Sequence, residues 1–212
     1  MKKWLCLSLL LWGLVGCESA YYSAWEKVGV HKRDILVDRI EDTRAAQEDA
    51  QEQFRDALEQ YRAVVDFDGG DLEKHYRRLE SEYQDSVRAA DAISERIDAV
   101  EDVAEDLFDE WEGELSQIEN RSLREDSARK LHDTRYKYQH MLRAMRKAEK
   151  SVQPVLSAMR DQVLYLKHNL NARAIASLKG ELNSINSDVN RLLLDMQKSI
   201  DEANLFIDRI RQ

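Results

Sequence analysis

From Leu72 to Ile118 the chain places side chains at alternating intervals of four and three: Leu72, Tyr76, Leu79, Tyr83, Ser86, Ala90, Ile93, Ile97, Val100, Ala104, Leu107, Trp111, Glu114 and Ile118. All but Ser86 and Glu114 are apolar or aromatic. A half-buried strand alternates with period two, whereas a mean spacing of 3.5 keeps one stripe of a helix against partner helices. This stretch therefore predicts one long helix that needs companions. One proline and seven glycines in 212 residues, with 34% of residues charged, suit long helices and leave too few turn formers for a sheet-rich domain. The expected fold class is all-α, an elongated antiparallel bundle of long coiled-coil-like helices formed by a single domain over residues 24–212.

The beginning of the chain reads as an address. Lys2 and Lys3 precede a mostly apolar stretch from Trp4 to Val15, too short to cross a bilayer, and Leu14-Val15-Gly16-Cys17 closes it. That tetrad resembles the bacterial lipobox, which implies a signal peptide over 1–16 and lipidation of Cys17. The plainer alternative is an ordinary signal peptide with a chance cysteine. Cys6 would leave with the signal, so the mature chain would hold no disulfide, in keeping with an oxidising periplasm. Glu18 follows Cys17, and by resemblance to enterobacterial sorting this favours the outer over the inner membrane. Residues 17–23 would form a tether reaching roughly 20 Å, placing the near end of the bundle close to the headgroups. Tyr21, Tyr22 and Trp25 either sit at the membrane interface or cap the helical core.

Charge narrows the partners. Without Lys2 and Lys3, 30 Lys and Arg face 41 Asp and Glu, a net charge of about -11. Nucleic-acid affinity depends on neutralising phosphates, so DNA and RNA are set aside. The expected partners are the membrane, through Cys17, and an envelope protein or a second copy of the chain.

Four helices are favoured. The first is expected from about Ala24 to Val65, with a thin seam containing Thr43 and Gln47, polar positions of the kind that set register. Gly69-Gly70-Asp71 ends it and caps the next helix, because glycine tolerates left-handed backbone and aspartate accepts from free helix N–H groups. The second helix ends near Asn120, and Ser122 with Glu125 forms a capping box that reopens a third. From Ile97 to Asn120 there are ten acids and no base, and from Arg121 to Lys150 ten bases and four acids. An antiparallel hairpin would set these against each other. The third seam runs through Leu131, Tyr138, Met145, Val152, Met159 and Leu166, and its phase slips between Leu170 and Leu178. Either the third turn lies near Asn169, giving four helices of about 42, 49, 47 and 40 residues and roughly 60 to 75 Å, or Pro154 bends a long final helix in a three-helix arrangement. A continuous helix with a stutter competes with the turn. Leu178, Ile185, Leu192, Met196 and Phe206 carry the last seam, widened by Ile175, Leu193, Leu194 and Ile207.

Three strings carry a resemblance to a known family: Trp25-Glu26-Lys27-Val28-Gly29-Val30-His31-Lys32-Arg33-Asp34, then Phe67-Asp68-Gly69-Gly70-Asp71-Leu72-Glu73-Lys74, then Leu164 to Leu178. From Tyr21 onward the chain resembles the bacterial family known as domain of unknown function 2959. The resemblance implies a helical envelope lipoprotein, brings no activity with it, and assigns no catalytic or binding residue.

The residues offer little catalytic chemistry. Dimetal carboxylate bundles place a glutamate three residues before a histidine, whereas Val28, Leu72, Arg129, Lys137 and Tyr165 precede the five histidines here. No two histidines stand four apart, as a helical zinc site needs, and there is no serine elbow or phosphate-cradling loop. The expectation is a protein that is not an enzyme and uses no cofactor or metal. Two groups remain as candidate interaction residues: His168, Asn169 and Asn171 at the proposed turn, and Asp102, Glu105, Asp106, Asp109 and Glu110 on the acidic stretch. The expected role is a membrane-anchored, non-enzymatic scaffold or interaction adaptor. The alternative is a binding module for a lipid, peptide or divalent cation. A filled core would favour the scaffold, and an internal cavity lined by Tyr and Met the binder.

Overall fold

Capping chemistry divides the chain into four helices. The computed structural model describes residues 32–69 and 71–211. The expectations placed on residues 1–31, namely the signal peptide, lipidation of Cys17, the tether and a first helix starting at Ala24, lie outside the described residues. Helix α1 spans Lys32–Val65, α2 Leu72–Leu115, α3 Arg121–His168 and α4 Ala172–Ile210. The described part of α1 has 34 residues, and the other helices have 44, 48 and 39, so they extend roughly 50 to 70 Å.

Between α1 and α2, Asp66 N–H donates to the Arg62 carbonyl at 2.8 Å, and Gly69 takes φ +148°, a conformation that disfavours any Cβ. Asp71 then accepts from Lys74 N–H at 3.1 Å and opens α2, as its sequence position predicts. Helix α2 stops at Leu115, earlier than the expected Asn120. Its last turn has no basic residue, and Glu112 and Glu114 oppose the negative end of the helix dipole there. Helix α3 also departs from expectation. Its cap is Asn120, whose Oδ1 accepts from Ser122 N–H at 3.0 Å and Leu123 N–H at 3.2 Å. Ser122 is thus a donor inside the first turn, and Glu125 binds Arg121 instead of closing a capping box.

The third turn lies at Asn169–Asn171, and Pro154 sits inside α3 on an exposed face. The three-helix alternative and the continuous helix with a stutter are therefore both excluded. Proline costs α3 one backbone hydrogen bond, but 48 residues of packed helix override that local loss. The fold is a four-helix bundle in which each short turn reverses direction. Helix α1 packs on α2 and α4, and α3 completes the ring by packing on the same two helices.

The seams meet in one core. In α1 the seam of Leu36, Ile40, Thr43, Gln47, Ala50, Phe54, Ala57, Tyr61 and Val64 is buried throughout. In α2 the stripe moves off Glu114, which is exposed, and takes in Val103 and Phe108. A straight helix drifts about 20° per heptad against a 3.5 repeat, so over this length the buried face rotates. Helix α3 adds Met141, Ala144, Ala148 and Val155 to its expected seam. Leu194 is a correction to the widened α4 stripe: it is 71% exposed, because it projects away from the face shared by Leu192 and Met196.

Candidate interaction surfaces

The charged face of the α2–α3 hairpin is the most developed polar feature of the bundle. Arg146 in α3 reaches across to Asp98 at 2.5 Å and to Glu101, and it also binds Glu149 on its own helix at 3.0 Å. Glu149 in turn accepts from Ser94 of α2 at 2.6 Å. Burial works against the Arg146 charge, but the hydrogen bonds it donates to Asp98 and Glu149 outweigh that and raise the guanidinium pKa above its ordinary value. Farther along, Arg135 binds Glu112 at 3.0 Å and lies over the Phe108 ring at 5.3 Å, and Trp111 Nε1 donates to Ser127 Oγ at 2.8 Å. The opposed charge blocks do face each other as antiparallel pairing requires. Sequence reasoning found the blocks but missed Arg146 as their centre, because Arg143 and Lys147 beside it look the same in the sequence and only the fold brings Asp98 and Glu101 to it.

The acidic candidates occupy one stretch of α2. Glu110 pairs with Lys32 of α1 at 3.2 Å, Asp102, Glu105 and Asp109 are exposed, and Asp106 is half-buried. Tyr138 on α3 feels this stretch. Its phenol is pushed above its ordinary value first by burial and then by the charges of Asp102 and Glu105. Tyr138 stacks edge-on with Phe108 and Phe206, centroids 5.3 and 6.2 Å apart, and thereby joins three helices. No group of three or more His, Cys, Asp or Glu among the described residues is placed to hold one metal ion.

The other candidates lie at the opposite end of α3. Asn171 caps α4 by accepting from Arg173 and Ala174 N–H at 3.0 and 3.1 Å, and Asn169 Nδ2 donates to the Tyr165 carbonyl at 3.0 Å. Both asparagines serve the turn, and His168 beside them is exposed. The structure does not bring this group together with the acidic stretch, since the length of α3 separates them.

Tyr61, Met141, Met145 and Met196, side chains that could line an internal pocket, are packed into the core. Outer clefts of about 340 and 220 Å³ lie between α1 and α2 over Ala46, Ala89 and Ala92, rimmed by Arg39, Asp42 and Arg96. A shallow one of about 460 Å³ runs along α2 from Asp71 to Ser81. None of the described helices is long and apolar enough to cross a membrane.

No curated protein matches the chain. Residues 21–210 match the family described as "Protein of unknown function (DUF2959)", and the chain belongs to that family.

Proposed function

We propose that this protein is a non-enzymatic helical scaffold or interaction adaptor of the bacterial envelope, held to the membrane by a lipid on Cys17 and presenting its outer faces to a protein partner. The observation that carries the reading is the packing of the interior. The large side chains that would have to surround a ligand, Tyr61, Phe54, Met141 and Met145, are instead each fully buried within the one core. Binding sites for small molecules are concave and enclosed, whereas the clefts here are open, charged at their rims and floored by alanine. The paired charges of α2 and α3 add an outer surface that is polar and ordered, suited to a protein rather than to an apolar ligand.

Crosslinking in intact cells, followed by identification of captured proteins, tests the adaptor role. A specific envelope protein is expected, and recovery of lipid alone overturns it. The anchor is tested separately by Cys17→Ser, which should move the protein from the membrane to the soluble fraction; unchanged fractionation refutes lipidation.

A further inference from the structure

Every large apolar side chain that stands exposed among the described residues belongs to the α3–α4 hairpin. Leu123, Tyr136 and Leu164 on α3 and Leu194 and Leu205 on α4 are more than half exposed. Tyr165 and Leu170 stand exposed at the turn between these helices, whereas the described residues of α1 and α2 expose none. Charge divides the same way. From Lys32 to Leu115 the chain carries 11 Lys and Arg against 27 Asp and Glu, but from Arg121 to Ile210 it carries 17 against 11. One half of the bundle is strongly acidic, and the basic half bears the exposed apolar groups.

These groups share one side of the hairpin. Tyr136, Arg143, Lys150, Ser157 and Leu164 recur at intervals of seven and are all exposed, so they form one outer stripe of α3. On α4, Lys198 and Leu205 are likewise seven apart and exposed. His140 with Glu202 at 3.0 Å and Lys147 with Asp195 at 2.5 Å mark the seam between the two helices. Tyr136 and Arg143 stand one turn before His140 and Lys147, and Lys198 and Leu205 one turn after Asp195 and Glu202. In an antiparallel pair of right-handed helices these two offsets turn to the same side, away from the core. Arg143, Lys150, Lys167 and Lys198 on that hairpin are exposed and form no ion pair among the described residues.

We propose that this outer face of the α3–α4 hairpin rests on an anionic phospholipid surface, so that the bundle lies lengthwise along the bilayer with α1 and α2 turned away from it. The chemistry favours lipid over protein. Lysine is depleted from the centres of protein interfaces, whereas a headgroup layer accepts cationic side chains that snorkel beside inserted Leu and Tyr. Anionic headgroups attract this half of the bundle and repel the acidic α1–α2 half, which sets the orientation. The inference rests on the envelope reading above and adds to it. A lipid on Cys17 holds the protein to the bilayer, and this face decides which side of the bundle meets the headgroups. Alone the face holds weakly and reversibly, since stable attachment takes both signals.

Lysine acylation read by mass spectrometry tests it, on the purified full chain with vesicles of phosphatidylcholine alone or of phosphatidylcholine mixed with phosphatidylglycerol. On the anionic vesicles Lys150, Lys167 and Lys198 are expected to react roughly threefold more slowly than on the neutral ones, while Lys74 on α2 is unchanged. Salt at about 1 M, where the screening length falls to roughly 3 Å, should abolish the difference. An Arg143→Glu, Lys150→Glu variant should keep its helix content by circular dichroism and lose the protection at Lys167 and Lys198. Equal labelling on the two vesicle types, equal protection of Lys74, or protection retained in the folded variant overturns the proposal. So does protection that grows with protein concentration in the absence of vesicles, which would give the face to the acidic α2 of a second copy. Recovery of the protein with neutral vesicles reports the anchor by itself, so a failure there counts against lipidation and not against the orientation.

Discussion

Tyr61 Oη donates to the carbonyl oxygen of Leu178 at 2.9 Å, inside the core, and so ties α1 to α4 where the α4 seam resumes after the third turn. The Leu178 carbonyl belongs to a helix and has a backbone partner of its own, so removing the phenol leaves no bare acceptor. Tyr61→Phe should therefore cost only the net worth of one hydrogen bond, about 1 kcal/mol. A thermal melt followed by circular dichroism should show the Tm lower by about 2–4 °C.

The same phenol governs alkaline behaviour. Burial raises the Tyr61 pKa above its ordinary value, with the charge of Glu181 adding to the shift, and Tyr138 is raised for like reasons. Groups whose folded pKa exceeds the unfolded one contribute stability that is present below the unfolded value, about 10 for tyrosine. That stability is lost as pH rises beyond it. The Tm should accordingly hold up to about pH 10 and then fall, with tyrosine ionisation at 295 nm tracking unfolding. A Tyr61→Phe, Tyr138→Phe variant should lose less of its own Tm over that range.

The cap of α3 offers a test of assignment. Asn120→Ala removes the acceptor for two helix N–H groups and should cost about 1 kcal/mol, whereas Ser122→Ala should change stability little. Urea unfolding of the two variants distinguishes them. Equal losses would return the cap to Ser122.

Arg146 should be the costliest exposed-face cation to remove. Arg146→Ala leaves Asp98, Glu101 and Glu149 close together without their shared counterion, and a loss of about 2 kcal/mol is expected. Arg121→Ala, which breaks only a solvated pair with Glu125, should leave the urea midpoint nearly unchanged. Added salt should narrow the Arg146 deficit by screening the carboxylates.

The periodicity made the helices legible because burial of one face is a property of many residues at once. It survives a Thr43 or a Gln47 in the seam and the kink potential of Pro154. Helix ends were harder to place, since they turn on one or two side chains. Asp71 was readable because Gly69 precedes it, but Asn120 and Ser122 both suit an N-cap and only geometry separates them. The rotation of the α2 stripe from Trp111 to Phe108 was hidden in the small mismatch between 3.5 and 3.6, which accumulates with length. Among the candidate site residues, Asn169 and Asn171 lay at one of the two turns that the sequence left open, and in the structure the turn uses both of them. Arg146 was overlooked because its significance depends on carboxylates about fifty residues away.

The opposed charges of the hairpin also give the chain an order in time. Synthesis delivers the ten acids of residues 97–120 before any of the α3 bases that balance them, with Lys32 of α1 on Glu110 the earlier exception. Until Arg135 and Arg146 emerge, that half of α2 repels itself, while α1 and the first half of α2 already have each other to pack against. A chain ended at Asn120 should gain helix when salt is added, as read by circular dichroism, and the full-length protein should not. The third helix thus serves as the late-arriving counterweight that lets the second one finish.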